Sequence, residues 1–227
     1  MTHLDTELKL LKNDILEMMN IVNGQLKKCK SAVLHFDKEL AHEINANERR
    51  VNALELKIDR DCENILALFN PVAVDLRFVL ACFKLSGDLE RMGDNAQSIA
   101  SYVLDLDHPL PEDMMSDLRL NEMFDNAIEM LDEVFDAFES EDTASSRKIF
   151  AKDKVLNEIN HQSAKKVSEL IKTNSEDIPT YLYLFSIIRK LERVGDLAKN
   201  TAEEIIFYVE AKVLKHRKKK NKKSNSK

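Results

Sequence analysis

The stretch "LERMGDNAQSIA" at residues 89–100 returns as "LERVGDLAKNTA" at 191–202. The chain has four glycines, and two of them, Gly93 and Gly195, hold the same place in these two stretches. Both sit inside helical patterning. Leu85, Leu89, Met92, Ala96, Ile99 and Val103 form one apolar ladder with alternating steps of four and three, and Ile187, Leu191, Val194, Ala198, Thr201, Ile205 and Tyr208 form another. Such steps follow the 3.6-residue period of an α-helix with one buried seam. A glycine in a helix interior costs about 1 kcal/mol relative to alanine. Paying that twice in register points to a position where another backbone or a ligand comes close.

Working outward, the second half of the chain repeats the first. The two stretches align at a shift of 102, and the preceding segments, "DKELAHEINANERRVNALE" and "DTASSRKIFAKDKVLNEIN", align at a shift of 105. That alignment sets Glu48 over Asp153 and Asn52 over Asn157. Six helical segments are predicted, at about 4–35, 38–69, 72–106, 113–139, 143–173 and 179–214. Their breaks carry the right chemistry: Asp37 as a cap, "NP" at 70–71, "DHPLP" at 107–111, and Pro179 in the first turn of the last segment. Short connections favour antiparallel neighbours, so the expected fold is all-α, two tandem three-helix bundles. The expected units are residues 1–107, 108–214 and a basic tail, 215–227.

Composition agrees. One-third of the residues are charged, Trp is absent, and Gly and Pro number four each, which leaves little for the turns of a β fold. From Lys212 to Lys227 there are nine Lys or Arg and no acid. Residues 1–211 therefore hold 25 Lys and Arg against 40 Asp and Glu, a charge of −15. So acidic a body argues against general nucleic-acid binding and leaves carboxylates for cations. Cys29, Cys62 and Cys82 lack metal-ligand spacing; Cys62 and Cys82 read as buried reduced thiols, as expected of a cytoplasmic protein. The charged start, "MTHLDTELKLLK", is not that of a signal peptide. The longest uncharged runs, 64–74 and 178–188, fall short of the roughly 18 residues a membrane span needs.

One position on from each apolar seam runs an acidic stripe: Glu90 and Asp94 in the first half, Glu192 and Asp196 in the second. The second segment carries its own at Glu48, Asn52, Glu55 and Asp59. A spacing of four stacks each pair on one face, where like charges repel by a few tenths of a kcal/mol. Multivalent cations held between facing helices would offset that repulsion. Against this stands a simpler reading of solvated acidic faces, with Arg91 and Arg193 as neutralising neighbours and Gly93 as a tight helix crossing.

The string "PVAVDLRFVLACFKLSGDLERMGDNAQSIA" (71–100), with "RRVNALELKID" (49–59) and "LERVGDLAKNTAE" (191–203), strongly resembles the PhoU family of bacterial regulators of phosphate uptake. The resemblance covers nearly the whole chain apart from the tail. It implies two similar three-helix bundles whose E(D)-x-x-x-D motifs bind metals, iron or zinc among them, while the oxygen-rich donors also suit Mg or Mn. It further implies no catalysis, often a homodimer, and negative regulation of the phosphate-starvation response by linking a phosphate ABC transporter to a sensor histidine kinase. Carried over by position, the motifs are Glu55/Asp59, Glu90/Asp94 and Glu192/Asp196. The fifth segment departs from the pattern: it offers Asp153, but Asn157, Asn160 and Ala164 stand where acids are expected, so the second site is carboxylate-poor, either completed by His161 or weaker than the first.

A carboxylate-bridged di-iron or ferritin-like bundle is the alternative. It needs two E-x-x-H motifs in register. Glu39/His42 and Glu158/His161 occur, but the repeat alignment puts them fourteen residues, roughly 21 Å, out of register. No nucleophile–base pair or phosphate loop is apparent. The tail "KHRKKKNKK" suits a solubilising end, or peripheral contact with an anionic membrane surface.

Overall fold

The computed structural model describes residues 2–173 and 177–213. The described residues form seven helices: α1 (His3–His35), α2 (Lys38–Phe69), α3 (Ala73–Asp105), α4 (Glu112–Asp117), α5 (Leu120–Ser140), α6 (Thr143–Thr173) and α7 (Ile178–Glu210). No strand occurs among the described residues. The ends follow from local chemistry. Thr2 and Asp5 form a reciprocal capping box on α1, and Asp37 accepts from the Leu40 amide at 3.0 Å to start α2. Asn70 closes α2 in the left-handed conformation just before Pro71.

One expected helix is two. The segment predicted over 113–139 breaks at Leu118–Arg119, where Arg119 takes a φ of 53°. Leu118 and Leu120 are both fully buried. Two residues apart on an α-helix they would point about 200° away from each other. The break lets both enter the core, and Arg119 outside it pairs with Glu122 at 2.6 Å.

Helices α1, α2 and α3 pack on one another, as do α5, α6 and α7, while α3 against α7 and α1 against α5 join the halves. Shifted by 105, the buried face of α1 falls on that of α5: Met18 on Met123, Leu26 on Leu131, Cys29 on Val134, Val33 on Phe138. The halves share one continuous apolar core. At their junction Phe78, Phe138 and Tyr208 meet ring to ring, with centroids 5.5–6.1 Å apart. Lys84 pairs with Glu204 at 2.9 Å, and Tyr102 meets Tyr183. These contacts set α3 and α7 antiparallel, with the two glycine-bearing stretches crossing near their middles. Cys29, Cys62 and Cys82 are free and buried, and burial pushes their thiols up, Cys62 to about 12. No described helix is long and apolar enough to cross a membrane.

Candidate metal-binding carboxylate sites

The glycines answer to packing. A Cβ on Gly93 would stand 3.3 Å from Val51 Cγ1, 3.4 Å from Glu48 Oε2 and 3.5 Å from Gln25 Oε1. One on Gly195 would stand 2.3 Å from Leu156 Cδ1. Leu156 is the repeat counterpart of Val51, so at both sites the second helix of the bundle presses a side chain into the notch left by the missing Cβ. In the first repeat, polar groups from α1 and α2 reach the same notch.

Those polar groups are unusual. Glu48 and Gln25 are buried, at 5% and 1% exposure, and no N–H or hydroxyl donor reaches either Glu48 oxygen, nor has either polar atom of the Gln25 amide a partner. The group within hydrogen-bonding reach of the Glu48 carboxyl is another acid, Asp94, which can bond to it only while one of the two is protonated. Burial first, then the charges of Asp94 and Glu90, push the Glu48 carboxyl from its ordinary 4.5 up to about 7. The neighbouring acids feel one another as well. Glu55 is raised by burial and by Asp59 and Asp94, and Glu90 by burial and by Asp94 and Glu55, with Arg91 partly relieving both. The fold thus brings the sequence-predicted Glu55, Asp59, Glu90 and Asp94 into one electrostatic neighbourhood across α2 and α3. Asp59 also accepts from Ser86 Oγ at 2.9 Å, and Arg91 lies 3.6 Å from Asp88. Asp94 is exposed, at the mouth of a cleft of about 740 Å³ between α3 and α7 that Arg91, Arg189, Glu192 and Arg193 also line.

The second repeat is built differently. Asp153 is buried but paired with Lys199 Nζ at 2.8 Å. Glu192 is raised by burial, Asp196 and Asp153, and lowered by Arg189 and Arg193. Asn157 turns back onto the Asp153 carbonyl at 2.9 Å, and Ala164 and His161 are exposed. In neither repeat, among the described residues, are three His, Cys, Asp or Glu side chains already gathered to hold an ion; in the second, His161 stands eight residues, about 12 Å along α6, from Asp153. Glu39, His42, Glu158 and His161 all lie on exposed faces, which removes the geometry a di-iron bundle requires.

The sequence puts Glu48 in the acidic stripe, over Asp153, without assigning it to the site. It gives no sign of two other residues, Lys199 and Gln25, because nothing in a helical pattern says which polar side chain will turn inward.

The PhoU domain model matches residues 15–103 and again 120–205. The chain belongs to the PhoU family. It is 33% identical to the "Phosphate-specific transport system accessory protein PhoU homolog" of a Burkholderia species over 93% of this chain and 91% of that one. It is 28% identical to the "Phosphate-specific transport system accessory protein PhoU" of Escherichia coli over 93% of this chain and 87% of that one. The crystal structure of PhoU from Pseudomonas aeruginosa superposes with a TM-score of 0.87 at 27% identity, covering 92% of this chain and 99% of that one. The structure of the phosphate transport system regulatory protein PhoU from Streptococcus pneumoniae gives 0.84 at 29% identity, covering 93% and 99%. The doubled PhoU domain matches the two bundles traced above.

Proposed function

We propose that this PhoU-family chain is a metal-carrying regulator of phosphate uptake and phosphate-starvation signalling. It acts as a cytoplasmic homodimer that restrains the response by linking a phosphate ABC transporter to a sensor histidine kinase, and it has no catalysis of its own. The regulatory part rests on the full-length likeness to proteins named as accessory to phosphate-specific transport. The metal part rests on one observation: a buried carboxylate, Glu48, that no cation or N–H donor reaches and that stands against another acid, Asp94, beside a glycine notch. Buried charges are ordinarily paired or bound to metal. All the oxygens available are hard donors, fitting iron, Mg, Mn or a carboxylate-held zinc. Glu55, Asp59, Glu90 and Asp94 would hold the ion, and the exposed Asp94 would admit it from the cleft. Bound there, the ion supplies positive charge that cancels the repulsion between α2 and α3 and stiffens their contact. The basic tail, outside the described residues, would hold the protein near the anionic surface beside the transporter.

Thermal melting with and without metal tests this reading. Wild type is expected to melt higher with iron, zinc, manganese or magnesium, by mass action. Asp94→Asn loses most of that rise while costing little in chelator, and Asp196→Asn loses little. A wild type whose melting ignores all four metals removes the metal part and leaves the family assignment standing.

A further inference from the structure

The two repeats answer the same electrostatic problem in different ways. Each places a carboxylate of its second helix inside the bundle, Glu48 beside Gly93 in the first and Asp153, at the matching position, in the second, both at 5% exposure. The second-repeat acid has a cation, the Lys199 ammonium at 2.8 Å. At the shift of 102, the residue matching Lys199 is Gln97, which carries no charge. Facing the first notch from α1 is Gln25, with both amide atoms unpartnered. At the shift of 105 its counterpart is Met130, fully buried and apolar. Glu55 and Asp59 of the first repeat become Asn160 and Ala164 in the second. Every change runs one way. The first repeat has more oxygen donors and no internal cation at its buried acid; the second has fewer donors and a lysine.

We propose that Lys199 is a resident cation, its ammonium taking in the second repeat the place that an exchangeable metal ion takes in the first, where Glu48 and Gln25 join the site as additional oxygen donors. This rests on the metal reading above. A buried carboxylate is tolerated when paired or metal-bound and is costly otherwise. An ammonium tethered to α7 never dissociates, so the second repeat stays neutral at Asp153 whatever the metal supply. Only the first repeat then changes charge when metal arrives, and metal occupancy alters one bundle against a fixed partner.

The test uses the full chain, with equilibrium dialysis against manganese(II), and against iron(II) without oxygen, alongside melting. Wild type is expected to bind metal in a manner abolished by Asp94→Asn and untouched by Asp196→Asn. Gln97→Lys supplies the first repeat with its own cation. It is expected to melt higher than wild type in chelator and to lose both metal uptake and the metal-dependent rise. Lys199→Gln takes the ammonium from Asp153 and Asp196, which stand in the electrostatic neighbourhood of Glu192, and is expected to gain a manganese-dependent rise that Asp196→Asn removes. Should Gln97→Lys not fold, Glu48→Gln takes its place, with metal binding weakened by about tenfold or more. Unchanged metal uptake in Gln97→Lys or in Glu48→Gln, no gain in Lys199→Gln, or a wild type that loses metal with Asp196→Asn each overturns the proposal while the metal reading survives. A wild type that binds neither ion overturns both.

Discussion

In the metal-free protein, replacing Glu48 by Gln should raise stability, and the gain should grow with pH. Burial and the charges of Asp94 and Glu90 lift this carboxyl from 4.5 to about 7 in the fold. A carboxyl raised on folding favours the native state while protonated and opposes it once ionised. Its penalty is therefore small below the unfolded value near 4.5 and complete only as pH passes through about 7. At 1.36 kcal/mol per pK unit, the full penalty is about 3 kcal/mol at pH 8, against less than about 1 kcal/mol at pH 5. Gln has the same shape and never ionises. The stability gap between Glu48→Gln and wild type in chelator should then widen by about 2 kcal/mol between pH 5 and pH 8. For a chain of this size that is roughly 4–8 °C in Tm. Differential scanning calorimetry or circular dichroism at a series of pH values reads it directly. Asp153→Asn is the opposite control: it strips Lys199 of its partner, so it should lower Tm. If wild type and Glu48→Gln trace parallel curves of Tm against pH, Glu48 is not a buried, unpaired acid and the account of the first site fails.

Gly195→Ala should lower Tm despite alanine's better helix propensity, because its Cβ would meet fully buried Leu156 at 2.3 Å; the overpacking cost of about 1–3 kcal/mol exceeds the helical gain of about 1 kcal/mol. A higher Tm would show that Leu156 has a free rotamer. Deleting Lys215–Lys227 should leave melting unchanged but weaken binding to anionic vesicles, an effect that fades as salt rises; equal vesicle binding by both forms reduces the tail to a solubilising end. Purified protein should show no turnover of phosphate esters, and hydrolysis that vanishes on Glu90→Gln or Glu192→Gln would contradict that.

Much of this was written in one dimension. Helix period, caps and the doubled hexamer sufficed for an all-α chain of two like bundles, since each depends on near neighbours along the chain. The acidic stripes were equally legible, because residues four apart on a helix share a face whatever packs against it. The break at Leu118–Arg119 was marked only by a two-residue step from Leu118 to Leu120, with no Gly or Pro to announce it, and it is the core's demand for both leucines that interrupts the helix.

What only tertiary structure decided is which polar groups share a low-dielectric space. Glu48 and Asp153 are aligned, similar acids in the sequence. Their fates part because α7 brings Lys199 to one, while α1 brings only the uncharged Gln25 to the notch beside the other. Counter-charge over a few ångströms acts through space and not along the chain, and burial magnifies it. A helical pattern can therefore say that two carboxylates lie on corresponding faces; the packing of a third helix settles which of them is left without a cation.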